Sequence, residues 1–422
     1  MLSICQATSL SQSGGPAGCK WSSAACAPIR LSHAGRYYII DSTEGRKRSS
    51  VDTKRGFRLT IHPEEVKWAR DHEAQTEFQP LTREQMHQIM ERGRELHHWF
   101  KTHYRTHCLI NASLLIALLA ADYLIVLRLP AVWLTRGGPN PLGLVLAVSC
   151  LTAAVRSWVT YSMTVFTIHE GAAHKAIFPP AGPLSRAGHL LASNLCRLGG
   201  SDPEHYAVRH MIHHSKFGTE EDAEFLNFVT PRRYAATFVP FAIAFNFSDF
   251  IIHRPLGVTR SSLITTIVCL TYQGIYGYLA YRLWGLTFVV VQILLLAHMG
   301  FYLDRVRQFT EHNLMPLDNS NGSRSFGLGF WGMLVGGGPW GSPCHWEHHL
   351  VASIPWYQQL MLHRFVVRLL TPQQRKQFLV EPVTGFPRLW WRLIRECSSF
   401  SRNSGRANAL SGTAKEAGTG QM

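Results

Sequence analysis

Three short stretches of this chain set histidines at close, regular intervals. HEGAAH carries His169 and His174, HMIHH carries His210, His213 and His214, and HWEHH carries His345, His348 and His349. On an α-helix, residues three and four apart share a face, so each H-x-x-H-H run aims three imidazoles at one spot. Two such triplets would hold two metal ions from opposite sides. His169 and His174 are five apart, about 140° around an ideal helix. They therefore diverge, and either serve different ions or need the helix to end or bulge between them. Imidazole suits iron, copper, nickel and zinc alike, so ligand type leaves the metal open. Eight imidazoles with almost no thiolate exceed what one tetrahedral zinc site uses.

Other histidines read differently. His103 and His107 have the i, i+4 spacing of a metal pair, but with His97 and His98 they precede an apolar run and read as interfacial side chains. His298 falls inside a later apolar run and reads as a packing contact.

The elements that must position the boxes are written in the apolar residues, which pool into long runs. The first, Leu109 to Leu127, is just long enough to span a bilayer. A linker rich in Pro and Gly follows, then Leu142 to Ile168, which carries Arg156 and so demands a polar partner. A second pair covers Leu263 to Tyr281 and Leu286 to Leu303, joined by a turn at Arg282–Gly285. Residues 234–252 are apolar but hold Pro240, Asn246 and Asp249, and read as interfacial. Basic residues are sparse in the two short turns and dense elsewhere, which places both termini and all long loops on the cytosolic side. The expected fold is all-α and integral to the membrane: four transmembrane helices in two hairpins under a cytosolic helical cap.

The 422 residues carry a formal charge of +15, which suits anionic headgroups or nucleic acid. With no nucleic-acid-binding signature present, the lipid surface is preferred. Nine scattered cysteines form no disulfide or zinc-knuckle pattern. Residues 1–56, poor in acids, read as a disordered or targeting segment. Residues 57–107 read as a cytosolic helical region, with Thr82 and Gln85 in capping-box register before a helix over Arg83–Phe100. The catalytic domain is expected over 108–370, a cytosolic segment over 371–401 and a disordered tail over 402–422.

The three boxes and their order around two hairpins resemble the membrane fatty-acid desaturase superfamily, over roughly residues 105–365. The resemblance implies a non-haem site of two iron ions that uses dioxygen to remove two hydrogens from an unactivated alkyl chain of a fatty-acyl lipid. It makes the eight box histidines metal ligands, and RQFTEH offers His312 as a ninth. Glu170, Asp222, Glu311 and Glu347 become candidates to orient imidazoles, and Trp340 and Trp346 candidates to line the substrate tunnel. The third box opens with His345 where front-end desaturases have glutamine, and no haem-binding domain is fused to the chain. Electrons are then expected from a separate donor, a ferredoxin or a small b-type cytochrome. Carotenoid ketolases and hydroxylases share these boxes, so oxygen insertion into a hydrophobic substrate such as a carotenoid or sphingolipid is the rival outcome. Metal storage or sensing without catalysis, and a zinc-dependent membrane protein, are the readings from other classes.

Overall fold

The computed structural model describes residues 29–31, 36–40, 47–52, 78–178, 183–219, 222, 259–382, 384–393 and 395. The interfacial reading of 234–252 and the tail at 402–422 lie outside them. From residue 78 onward the described chain is helical. Within 1–56 the backbone instead forms an antiparallel sheet of three strands, β1 (Ile29–Leu31), β2 (Arg36–Ile40) and β3 (Lys47–Asp52), in the order β1-β2-β3. RYYII in β2 is the kind of aromatic and β-branched run that favours a strand.

Helix α1 (Arg83–Thr102) starts as its sequence demands, with Thr82 and Gln85 closing a reciprocal capping box. It runs into α2 (Tyr104–Arg128), and the linker leads to α3 (Leu142–Val165), which continues as a π-helix over Phe166–Ala173. Helices α4 (Pro183–Leu198) and α5 (Pro203–Lys216) follow. Then α6 (Arg260–Trp284) turns at Gly285, whose φ of 86° suits glycine, into α7 (Leu286–His312). The remaining helices are α8 (Phe330–Val335), α9 (His345–Leu350), α10 (Trp356–Leu369), α11 (Pro372–Phe378) and α12 (residues 385–393).

Among the described residues, three stretches are long and apolar enough to cross a membrane: Tyr104–Val132, Leu142–Ala173 and Arg260–Trp284. Within α7, which is 27 residues long, Leu286–Leu296 is a further apolar stretch among the described residues. Large apolar side chains stand outward on these helices, among them Leu109, Ile116, Leu270 and Leu286 at 66–69% exposure. A soluble protein rarely exposes so continuous an apolar belt.

Arg156 has the partner it required. Its Nε lies 3.3 Å from Asp122 Oδ1, both side chains buried, and its guanidinium sits 3.4 Å from the centre of the Tyr276 ring. The Thr160 hydroxyl donates to Asp122 at 2.9 Å, and the Tyr272 hydroxyl donates to the same carboxylate. Asp122 is on α2, Arg156 and Thr160 on α3, and Tyr272 and Tyr276 on α6. One buried ion pair therefore ties three helices together.

A separate core holds the cap. Ile89 and Leu96 of α1 pack with Trp346, Ile354, Leu362, Val366 and Phe378. Gly93 is where α1 passes closest to Val351, since a Cβ there would meet its methyl groups at 2.8 Å.

Candidate metal centre

The nine histidines arrive from four elements. The π-helix brings His169 and His174, α5 brings His210, His213 and His214, the end of α7 brings His312, and α9 brings His345, His348 and His349. All are buried except His174, which is half-buried.

They converge as two adjoining groups. Ring nitrogens of His169, His174, His210 and His348 lie within 4.8 Å of one another. His214 joins them, its Nε2 3.1 Å from that of His210 and 3.0 Å from that of His348. His213, His312 and His349 form the second group. His345 joins it, with Nε2 2.8 Å from His312 Nε2 and 3.1 Å from His349 Nε2. The ring centres of His214 and His349, one from each group, are 4.5 Å apart.

This corrects the expectation that each H-x-x-H-H run serves one spot. His210 and His214 go to the first group and His213 to the second, while His345 and His349 go to the second and His348 to the first. The i, i+4 pair of each helix shares a face, whereas the residue between is turned by about 100° from its neighbour. Two helices meeting face to face can therefore each give two rings to one group and one to the other. The five-residue spacing of His169 and His174 is resolved as well. The backbone N–H of His174 donates to the His169 carbonyl at 3.1 Å, an i→i+5 bond. With its wider turn, the π-helix brings the fifth residue back to the side of the first.

The outer ring nitrogens are held. His213 Nδ1 donates to Asp222 at 2.9 Å, and His312 Nδ1 donates to the Gly322 carbonyl at 3.1 Å. Asn319 Oδ1 lies 3.0 Å from His349 Nδ1, and Ser342 Oγ lies 2.9 Å from His345 Nδ1. Gln359 Nε2 sits 3.3 Å from His348 Nδ1 and donates to Glu170 at 3.1 Å. An Nδ1–H spent on a carboxylate or carbonyl leaves the Nε2 lone pair facing inward, as a metal ligand requires.

The donor set fits metal ions. Nitrogens bound about 2.1 Å from one ion and at right angles stand roughly 3 Å apart. The inward Nε2 atoms are separated by 2.8–3.1 Å. His169 Nε2 is buried with no hydrogen-bond partner. Burial pushes His174 down to about 3. It also pushes His210, His214, His345, His348 and His349 well below the usual imidazole range, with neighbouring imidazoles adding to the effect. They are therefore neutral near pH 7, the state that binds metal.

Of the acids proposed to orient imidazoles, three stand beside the groups. Asp222 holds His213, Glu170 lies 3.4 Å from His169 Nδ1, and Glu311 lies 3.6 Å from His345 Nε2 while Arg307 donates to it at 2.8 Å. Glu347 turns away from the box rings. It accepts from His363 Nδ1 at 2.7 Å and from the Ser325 hydroxyl, because its position on α9 faces α10 and the cap core. Trp346 likewise belongs to the cap and not to a tunnel. It is fully buried, stacks on Phe378 at 3.9 Å and donates from Nε1 to the Ser320 carbonyl at 2.8 Å. Trp340 packs against the apolar cluster that includes Met163 and Phe166, the latter in the π-helix that carries His169. Sequence reasoning missed Asn319, Ser342, Gln359 and the His363–Glu347 pair, since lone amides, hydroxyls and a distant histidine carry no spacing signal. His107 is buried against Phe100 and Tyr357 rather than lying at the interface, whereas His103 is exposed as expected.

The sequence model described as Fatty acid desaturase matches residues 139–379, more than half of the chain. The chain belongs to the fatty acid desaturase family. A search of curated proteins finds no match. The desaturase match begins after α2 and ends just past α11, so it holds every residue of the two histidine groups. As a member of this family the protein is an oxidoreductase, and the family is known for di-iron centres.

Proposed function

We propose that this protein is a membrane-bound, dioxygen-dependent desaturase that introduces a double bond into the alkyl chain of a fatty-acyl lipid at a site of two non-haem iron ions. The observation that carries the reading is the convergence of nine imidazoles into two groups with their Nε2 atoms inward. One group would be His169, His174, His210, His214 and His348, and the other His213, His312, His345 and His349. Bound iron would supply dioxygen activation strong enough to break a C–H bond that has no acidity to exploit.

The chain's own residues do the rest. Burial keeps the imidazoles neutral and excludes bulk water. Asp222, the Gly322 carbonyl, Asn319 and Ser342 fix ring orientation. Gln359 links Glu170 to the His348 ring, so that the two stay in register. The centre stands at the ends of α3 and α7, where an alkyl chain lying between the apolar helices can reach it. We read α2, α3, α6 and α7 as four spans in two hairpins, with both termini and the cap on the cytosolic side, in line with the sparse charge at the two turns. Electrons come from a separate ferredoxin or b-type cytochrome with its reductase.

The decisive experiment is lipid mass spectrometry after expression with a reductase system. A product two hydrogens lighter than its substrate supports desaturation, and a gain of oxygen makes the protein a hydroxylase or ketolase. His213→Ala and His348→Ala, one from each group, should each abolish the product. An active variant of either would overturn the assignment. Metal analysis returning zinc would favour a zinc-dependent membrane protein, and metal binding without dioxygen consumption would favour storage or sensing.

A further inference from the structure

Outside the metal centre, the most informative surface is the outer face of α12. Its inner face carries Phe386, Leu389, Trp390 and Leu393, which pack on α7 and the cap. Trp390 meets Phe309 edge-on at 5.5 Å, Phe386 contacts Trp331 at 4.8 Å, and Leu393 is fully buried with Phe309. At 100° per residue, Arg388, Trp391 and Arg392, together with Arg395 two residues past the range given for α12, fall within an arc of about 100° on the opposite side. All four are exposed, Trp391 at 67%. Leu328, 39% exposed, lines one cleft with Arg388 and Arg392, and two residues on, Phe330 stands 67% exposed next to Trp331, which contacts Phe386 of α12. A cleft of about 700 Å³ opens between α11 and α12, lined by Leu328, Leu389, Arg375, Lys376, Arg388 and Arg392. Glu381 alone is acidic among the described residues lining it.

The depth of this face follows from α7. From Leu286 to Phe309 the helix rises roughly 35 Å at 1.5 Å per residue. A hydrocarbon core is about 30 Å thick. With Leu286 at the far boundary, Phe309 and the α12 residues packed on it stand just beyond the near boundary, at headgroup depth. Exposed tryptophan beside arginines at that depth is the composition of an interfacial anchor.

We propose that α12 lies on the cytosolic membrane surface, with Trp391, Phe330 and Leu328 seated at the acyl–headgroup boundary and Arg388, Arg392 and Arg395 binding the phosphates of anionic phospholipids. The inference rests on the reading of α7 as a span. An acidic protein donor is the rival occupant, but it leaves the exposed apolar side chains without a role. The apolar and cationic groups together match an amphipathic anion embedded in a surface.

The test uses the full-length protein in nanodiscs of phosphatidylcholine with and without phosphatidylglycerol. Native mass spectrometry should show phosphatidylglycerol retained over phosphatidylcholine, by about fivefold per engaged arginine. The triple variant Arg388→Glu, Arg392→Glu, Arg395→Glu should lose that preference. Lipids brominated near the headgroup should quench wild type more than Trp391→Phe. Equal retention in wild type and variant, together with equal quenching, overturns the proposal. So does a triple variant that keeps its lipid preference but needs more electron donor, which would make the face a donor interface. Alkaline carbonate extraction separates the two layers of argument. Release of wild type from membranes would sink the spanning reading itself, whereas retention without lipid preference would sink only the role of α12.

Discussion

A single ring in the metal centre has little freedom, as His213 shows. Its Nδ1–H is taken by Asp222, whose other oxygen accepts from the Gly218 backbone at 3.1 Å. Asp222→Ala removes the acceptor but no ligand, so the effect runs through ring orientation. Iron affinity of the second group should fall by about 10–100-fold, read as a drop in iron per chain under graded chelator. Unchanged iron retention would show that the carboxylate is dispensable. His363 makes a second residue-scale prediction. Burial lowers its pKa, but the charge and hydrogen bond of Glu347 outweigh this and leave it raised. A raised imidazole adds stability that is complete below its unfolded value and is lost as pH climbs through the folded one. Wild-type Tm should therefore decline on the alkaline side of about pH 6.5, and His363→Gln should start lower and lose that decline. A Tm–pH curve of unchanged shape in the variant would refute the role of the pair.

Among the elements, the π-helix carries the most specific burden. Only its wide turn brings His169 and His174 to one group, and Gly171 lets α4 approach, since a Cβ there would meet Ala192 at 2.8 Å. Deleting Ala172 should return the segment toward an α-helical pitch and swing His174 aside. The first group would then weaken selectively, with iron content falling toward one ion per chain while the second is kept. Retention of both would mean that the π-turn is not what aligns the pair. The glycine run before α9 is a second such element: a Cβ on Gly341 would stand 2.0 Å from the Gly336 carbonyl oxygen. Gly341→Ala should then sharply reduce the yield of folded protein.

For the whole molecule, the Asp122–Arg156 pair holds the helix bundle beneath the centre. Asp122→Ala leaves a buried guanidinium without its counter-charge, at a cost of about 3–5 kcal/mol. Thermal melting in detergent should show the loss, and Asp122→Leu combined with Arg156→Leu should recover most of it. Failure of the double variant to recover would indicate that the tyrosines and Thr160 depend on the ion pair for more than charge balance.

Local chemistry determined a good part of this protein in advance. Apolar run lengths marked the long helices, Thr82 and Gln85 marked the start of α1, and the spacing of eight histidines marked the centre, because each of these signals lies within a few residues of itself. Where each ring points was decided by packing across distant segments. The division of each H-x-x-H-H run between two groups needs α5 and α9 to face one another, and the π-turn is a choice of backbone pitch that HEGAAH does not announce. Asn319, Ser342 and Gln359 reach the rings only after the cap has closed, and Trp346 and Glu347, neighbours of the ligands in the chain, are turned into the cap core by the same helix that turns the histidines inward.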